Sequence, residues 1–161
     1  IDVDGRFSLH IVPSTAEPMI YATRTDTPRL VLFGDGLLVR RPIFFTTPDD
    51  LVTINANTDT DLLQVYRRVG AGKRLSETLT IAPDLRSLIL TLGRTPVPDI
   101  HGHCESLGLT YSQVVSVLFR LCESESGKQV PAEFVLQSPD GVDTIGPEQA
   151  PPGRQAVSSR L

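Results

Sequence analysis

Tryptophan is absent from these 161 residues, methionine occurs once, cysteine twice, and only 6% of the chain is aromatic. Two cysteines, Cys104 and Cys122, are too few for a disulfide scaffold, which a chain of this length does not need. They could pair with each other, remain core thiols or bind a metal. Lysine is nearly missing too: Lys73 and Lys128 stand against thirteen arginines, a compositional bias without a mechanism attached. Long apolar runs are lacking, and no segment approaches the ~20 apolar residues that a membrane-crossing helix needs. Positive charge is not in excess. The formal net charge is −4, so polyphosphates are repelled at long range and nonspecific nucleic-acid binding is not expected.

Catalytic signatures are missing as well. The chain contains no G-x-x-x-x-G-K-[ST] or G-x-G-x-x-G for phosphates and no G-x-S-x-G elbow for a nucleophilic serine. It begins at Ile1 rather than Met, as a processed or partial chain would.

What is present is enough hydrophobic residue, 40%, to build a core, in a length that suits one domain or one domain with a small appendage. Residues 1–82 carry short apolar runs: "RFSLHIV" (6–12), "MIYATR" (19–24), "RLVLF" (29–33), "LLVRRPIFF" (37–45), "LVTINA" (51–56), "LLQVYRRV" (62–69) and "RLSETLTI" (74–81). Turn formers such as "TPDD", "NTDTD" and "GAGK" separate them. Short strands about ten residues apart predict an antiparallel β-sandwich or barrel. Pro42 has no N–H, which places its stretch at a sheet edge or a bulge. Ile43, Phe44 and Phe45 then lie near an exposed rim, an apolar edge suited to docking or assembly. The plainer alternative is that alternate members fill the core.

Residues 83–137 change character. Leu85, Leu88, Ile89 and Leu92 fall at helical spacing, with Gly93 as a stop. "RTPVPDIHG" is a loop. In "LTYSQVVSVLFRLCESESGK", Thr110 and Gln113 form a capping-box pattern, and Val114, Val117, Leu118, Leu121 and Cys122 share one face. "VPAEFVLQ" (130–137) is a strand. The resulting helix–loop–helix–strand unit is winged-helix-like. Its charge is wrong for a DNA reader: Arg86, Arg94, Arg120 and Lys128 face Asp84, Asp99, Glu105, Glu123 and Glu125. From Ser138 to Leu161 the chain is rich in Pro, Gly and Ser, as a flexible tail or linker is.

Candidate sites each have a plain counterpart. Gly34-Asp35-Gly36 is followed by strand-like residues rather than a helix, so a hairpin turn is expected in place of a phosphate cradle. "HGHC" supplies His101, His103 and Cys104, and with Cys122 these could ligate zinc, although three ligands within four residues depart from the usual paired spacing. Cys104 beside His103, with Glu105 to orient a histidine, is the ingredient list of a nucleophile pair; sequence neighbours seldom face each other that way. "DVDG" and "NTDTD" lack the ligand series of a calcium loop and are expected to be turns. His10 lies in a strand and is expected to be structural.

"TPRLVLFGDGLLVRRPIFF", "PDDLVTINA", "LGLTYSQVVSVLFRLCES" and "VPAEFVLQ" together resemble, over residues 28–137, bacterial chains labelled flagellar basal-body P-ring protein in GC-rich, planctomycete-like genomes. The resemblance implies a non-catalytic structural role in a cell-envelope assembly and transfers no site residues. The expectation is therefore an α+β protein with a β-rich domain at 1–82, a helical unit at 83–137 and a tail at 138–161. Its role is non-enzymatic, through a protein partner or self-assembly, with no cofactor, nucleic acid or transmembrane segment. Two alternatives differ in class: a zinc-binding protein using His101, His103, Cys104 and Cys122, and a winged-helix regulator.

Overall fold

The computed structural model describes residues 1–34, 36–69, 74–123, 129–138 and 143–144. It is an α+β protein. The elements run β1 (Asp2–Val3), β2 (Phe7–Val12), β3 (Met19–Ala22), β4 (Arg29–Phe33), β5 (Ile43–Thr46), β6 (Val52–Ala56), β7 (Leu63–Val69), β8 (Arg74–Leu75), β9 (Leu79–Ile81), α1 (Leu85–Gly93), α2 (Tyr111–Glu123), β10 (Glu133–Gln137) and β11 (Asp143–Thr144).

The strands form two sheets. The first has six strands in the order β1-β2-β4-β3-β10-β11. Alternation along its strands buries Phe7 and Leu9 of β2, Ile20 and Ala22 of β3, and Leu30 and Leu32 of β4 on one face. The register stacks them across neighbours, Leu9 beside Leu30 and Ile20 beside Leu32. A slip of one residue would turn that whole face to water, which is what fixes the pairing. This sheet is mixed rather than antiparallel, because β2 pairs parallel with β4 and β3 parallel with β10. The chain leaves β2, passes the place that β4 will fill, forms β3, and returns antiparallel into the gap. Such an order is set by long-range pairing, so local patterns do not reveal it.

The second sheet runs β5-β6-β7-β8, with β9 also on β7. "RLSETLTI" is thus two short strands rather than one. Between them Ser76 takes a bond from Arg67 N–H to its Oγ and gives its own N–H to the Arg67 carbonyl. The expected run 37–45 also divides: Leu38 makes only an isolated bridge to Asp84, and the strand starts at Ile43. Gly34 and Gly36 both adopt positive φ, 113° and 69°. No hairpin joins β4 to β5, since they belong to different sheets; the chain passes here from one sheet to the other.

Both helices form where the apolar spacing puts them. The Asp84 side chain caps α1 by accepting from Ser87 N–H at 2.8 Å. Thr110 and Gln113 cap α2 reciprocally: Thr110 N–H donates to Gln113 Oε1 at 2.9 Å and Gln113 N–H to Thr110 Oγ1 at 3.2 Å. Leu85, Leu88, Ile89 and Leu92 of α1 and Val114, Val117, Leu118 and Leu121 of α2 are buried in one hydrophobic cluster with both sheets. The Tyr111 hydroxyl ties α2 to the first sheet by donating toward the carbonyls of Thr23 and Arg29 at 2.7 and 3.0 Å. The Arg6 guanidinium, on the β1–β2 turn, donates to the carbonyls of Gly93 and Leu109 and to Thr95 Oγ1, holding the interhelix loop against the sheet. Of the tail, Asp143–Thr144 add an antiparallel strand to β10. Residues 139–142 and 145–161 lie outside the described set.

Candidate functional site

β5 ends the second sheet, and among the described residues no strand pairs with its outer side. Pro42 precedes the strand and Pro48 follows it, so neither removes a donor from the ladder with β6. Which backbone groups face outward follows from the register. Thr47 N–H donates to the Val52 carbonyl at 3.0 Å, and partners then run Thr46 to Thr53, Phe45 to Ile54, Phe44 to Asn55 and Ile43 to Ala56. Hydrogen-bonded and non-bonded pairs alternate in an antiparallel ladder. Ile43 and Phe45 therefore bond β6, whereas the N–H and C=O of Phe44 and Thr46 point away from it. The 3.1 Å contact between the Thr46 and Thr53 hydroxyls fits the closer side chains of a non-bonded pair.

The three side chains are in different places. Ile43 is buried in the core, Phe45 is half-buried against it, and Phe44 is 76% exposed. Phe44 is the apolar group that the edge presents, and Thr46 is the residue the sequence reading missed. Its outward backbone is a matter of register, which composition does not encode. Charges bracket the edge: Arg40 is exposed at its start, and Asp49 and Asp50 are exposed in the β5–β6 turn. The carboxylate of Asp49 is held below the usual range by the Thr47 hydroxyl and the Leu51 N–H. Arg41 is engaged nearer home, 3.1 Å from Asp61 and bonded to the Thr60 carbonyl.

A groove of about 1030 Å³ lies between β9, α1 and the interhelix loop, lined among others by Asp4, Arg94, Asp99, His103 and Glu105. Asp4 accepts from Thr95 N–H at 2.6 Å, which with the Thr95 hydroxyl and the charges of Arg6 and Arg94 holds its carboxyl below the ordinary value. A cavity of about 320 Å³ adjoins it, lined by Arg67, Glu77, Cys104 and Leu107.

Of "HGHC", His103 lines the groove, and Gly102 and Cys104 line the adjoining cavity. Asp99 Oδ1 accepts from the N–H groups of His101 and His103 at 2.7 and 2.9 Å, an Asx-type closure. His103 Nδ1 lies 2.6 Å from Glu77 Oε1; Glu77, not Glu105, is its carboxylate partner. Cys104 is half-buried, and Cys122 is buried on the core face of α2. His101, His103, Cys104 and Cys122 are not brought together as metal ligands: among the described residues no group of three or more His, Cys, Asp or Glu could hold an ion. His10 is exposed on β2, with Nε2 3.0 Å from the Ser8 hydroxyl. Among the described residues no helix is long and apolar enough to cross a membrane. Compared with family models, with curated proteins and with solved structures, the chain matches none.

Proposed function

We propose that this protein is a non-enzymatic interaction module that docks an extended segment of protein along β5. The observation that carries this reading is Phe44, 76% exposed at the middle of a strand whose outward N–H and C=O groups have no strand beside them among the described residues. Strand addition takes its affinity from such main-chain groups and its selectivity from side chains like Phe44. The helix–loop–helix–strand unit of α1, α2 and β10, winged-helix-like in its order, belongs to the same reading as a support and protein-contact surface, its acidic balance being unsuited to DNA. A repeated structural subunit in a cell-envelope assembly is the setting that the P-ring resemblance implies.

The test is Phe44→Lys beside the unaltered chain. An exposed residue contributes little to folding, so Tm should stay within about 2 °C, while any association that grows with concentration in light scattering should be lost. A fall of several degrees in Tm would mean that Phe44 is packed and the edge is not a docking surface. Specific turnover abolished by a single substitution in the groove, such as His103→Ala, would refute the non-enzymatic reading.

A further inference from the structure

We infer that the occupant of the β5 edge is β5 of a second copy of this chain, the two strands running antiparallel about a two-fold axis at Phe45; this rests on the docking reading above. The outward residues are Phe44 and Thr46, so a new ladder must make these its hydrogen-bonded positions. Centring the axis on Phe45 sets Phe44 opposite Thr46 of the second copy, and each pair exchanges both of its backbone bonds. Sliding by two residues either way would set Thr46 opposite Pro42 or Phe44 opposite Pro48, neither of which has an N–H to give. In the centred register the prolines fall opposite each other beyond the bonded pairs and end the ladder on both sides.

Charge decides between a second copy and an unrelated strand. An isologous contact requires that one end of a patch complement the other. An antiparallel contact brings the end of the edge that carries Arg40 and Arg41 near the end of the second copy that carries Asp49 and Asp50, and does so twice. Arg40, Asp49 and Asp50 are exposed, with Asp49 and Asp50 at the tip of the β5–β6 turn, where side chains rather than the ladder make the approach. Arg41 already holds Asp61, so Arg40 and Asp50 are the charges that report on the contact. Pairing of this kind consumes the β5 edge of both copies and stops at two.

Sedimentation equilibrium tests this on four full-length chains: unaltered, Phe44→Lys, Arg40→Asp, and Arg40→Asp with Asp50→Arg. The expected results are a monomer–dimer equilibrium with nothing larger, a monomeric Phe44→Lys, a dimer weakened roughly tenfold by Arg40→Asp, whose like charges meet twice, and near-recovery in the charge-swapped double variant. A monomer up to millimolar concentration, species beyond the dimer, an indifferent Arg40→Asp or an unrecovered double variant would each overturn the inference. If the chain is monomeric, amide exchange separates the two readings. Fast exchange at Phe44 and Thr46 removes the second copy and leaves the docking edge, whereas protection there removes both.

Discussion

Replacing Gly93 with alanine tests the packing at the point where α1 meets the first sheet. Gly93 is the last residue of α1 and is not among the residues of positive φ, so its backbone does not require glycine. Helix propensity alone would favour alanine by at most about 1 kcal/mol, less at a terminal position. The structure argues the other way. A Cβ on Gly93 would lie 2.8 Å from Cζ and 2.9 Å from Cε1 of Phe7, and 3.2 Å from Cγ1 of Val3. Carbon atoms in contact prefer about 3.5–4.0 Å. The Phe7 ring has little room to retreat: it is 3% exposed and lies 5.4 Å from the Tyr111 ring, which its hydroxyl anchors to the sheet. Overpacking of this kind costs about 1–3 kcal/mol. Set against the propensity gain, Gly93→Ala should destabilise by about 1–2 kcal/mol, a fall in Tm of about 3–6 °C for a chain of this size. Urea unfolding followed by circular dichroism should show the midpoint move with an unchanged slope. In a Phe7→Leu background the same substitution should be neutral or stabilising, a coupling of about 1 kcal/mol or more. A Gly93→Ala chain that is more stable than the original, or a coupling near zero, would refute the close-packing argument.

Three other outcomes follow from the same contacts. Leu118 is fully buried on the core face of α2, and Leu118→Ala should cost about 2–5 kcal/mol in denaturant unfolding, a near-zero loss contradicting the placement of that face. Tyr111→Phe removes a hydroxyl that bonds two carbonyls and should cost about 0.5–1.5 kcal/mol in the same assay. Burial raises the Tyr111 phenol above 10.0, so its contribution is complete below that value and declines as pH rises through the folded-state pKa. Asp4 shows the opposite sign: its carboxyl is lowered from 3.8, so the stability it confers is present above that value and is lost as pH falls through the folded-state pKa. Melting curves between pH 5 and about pH 2 should therefore be flatter for Asp4→Asn than for the unaltered chain, and superimposable curves would contradict the Thr95 contact.

The elements that the sequence announces are those whose determinants are local. The two helices carry their caps and apolar stripe within a few residues, at Asp84 and Ser87 and at Thr110 and Gln113, so they appear where the periodicity puts them. A missing N–H is a local fact, and the strand that follows Pro42 has no strand on its outer side among the described residues. What the sequence conceals depends on distant partners. The parallel pairing of β3 with β10 joins residues more than a hundred positions apart. Gly34 and Gly36 adopt positive φ, yet only tertiary structure tells that the chain there leads into another sheet. Glu77 becomes the partner of His103 across 26 positions, whereas Glu105, its neighbour in sequence, does not. At β5, alternation predicts that some of Ile43, Phe44 and Phe45 face inward; that Phe44 faces out, with Thr46 sharing its backbone direction, follows only from the register with β6.

Docking along β5 requires that the outer side of the strand be free to accept another strand. Residue-resolved amide hydrogen exchange in dilute solution measures this directly. The amides of Phe44 and Thr46 should exchange at rates close to those of exposed loops, while those of Ile43 and Phe45, bonded to β6, are strongly protected. Protection of Phe44 and Thr46 equal to that of Ile43 and Phe45, in a chain shown to be monomeric, would mean that the edge is already covered and would contradict the proposed docking function.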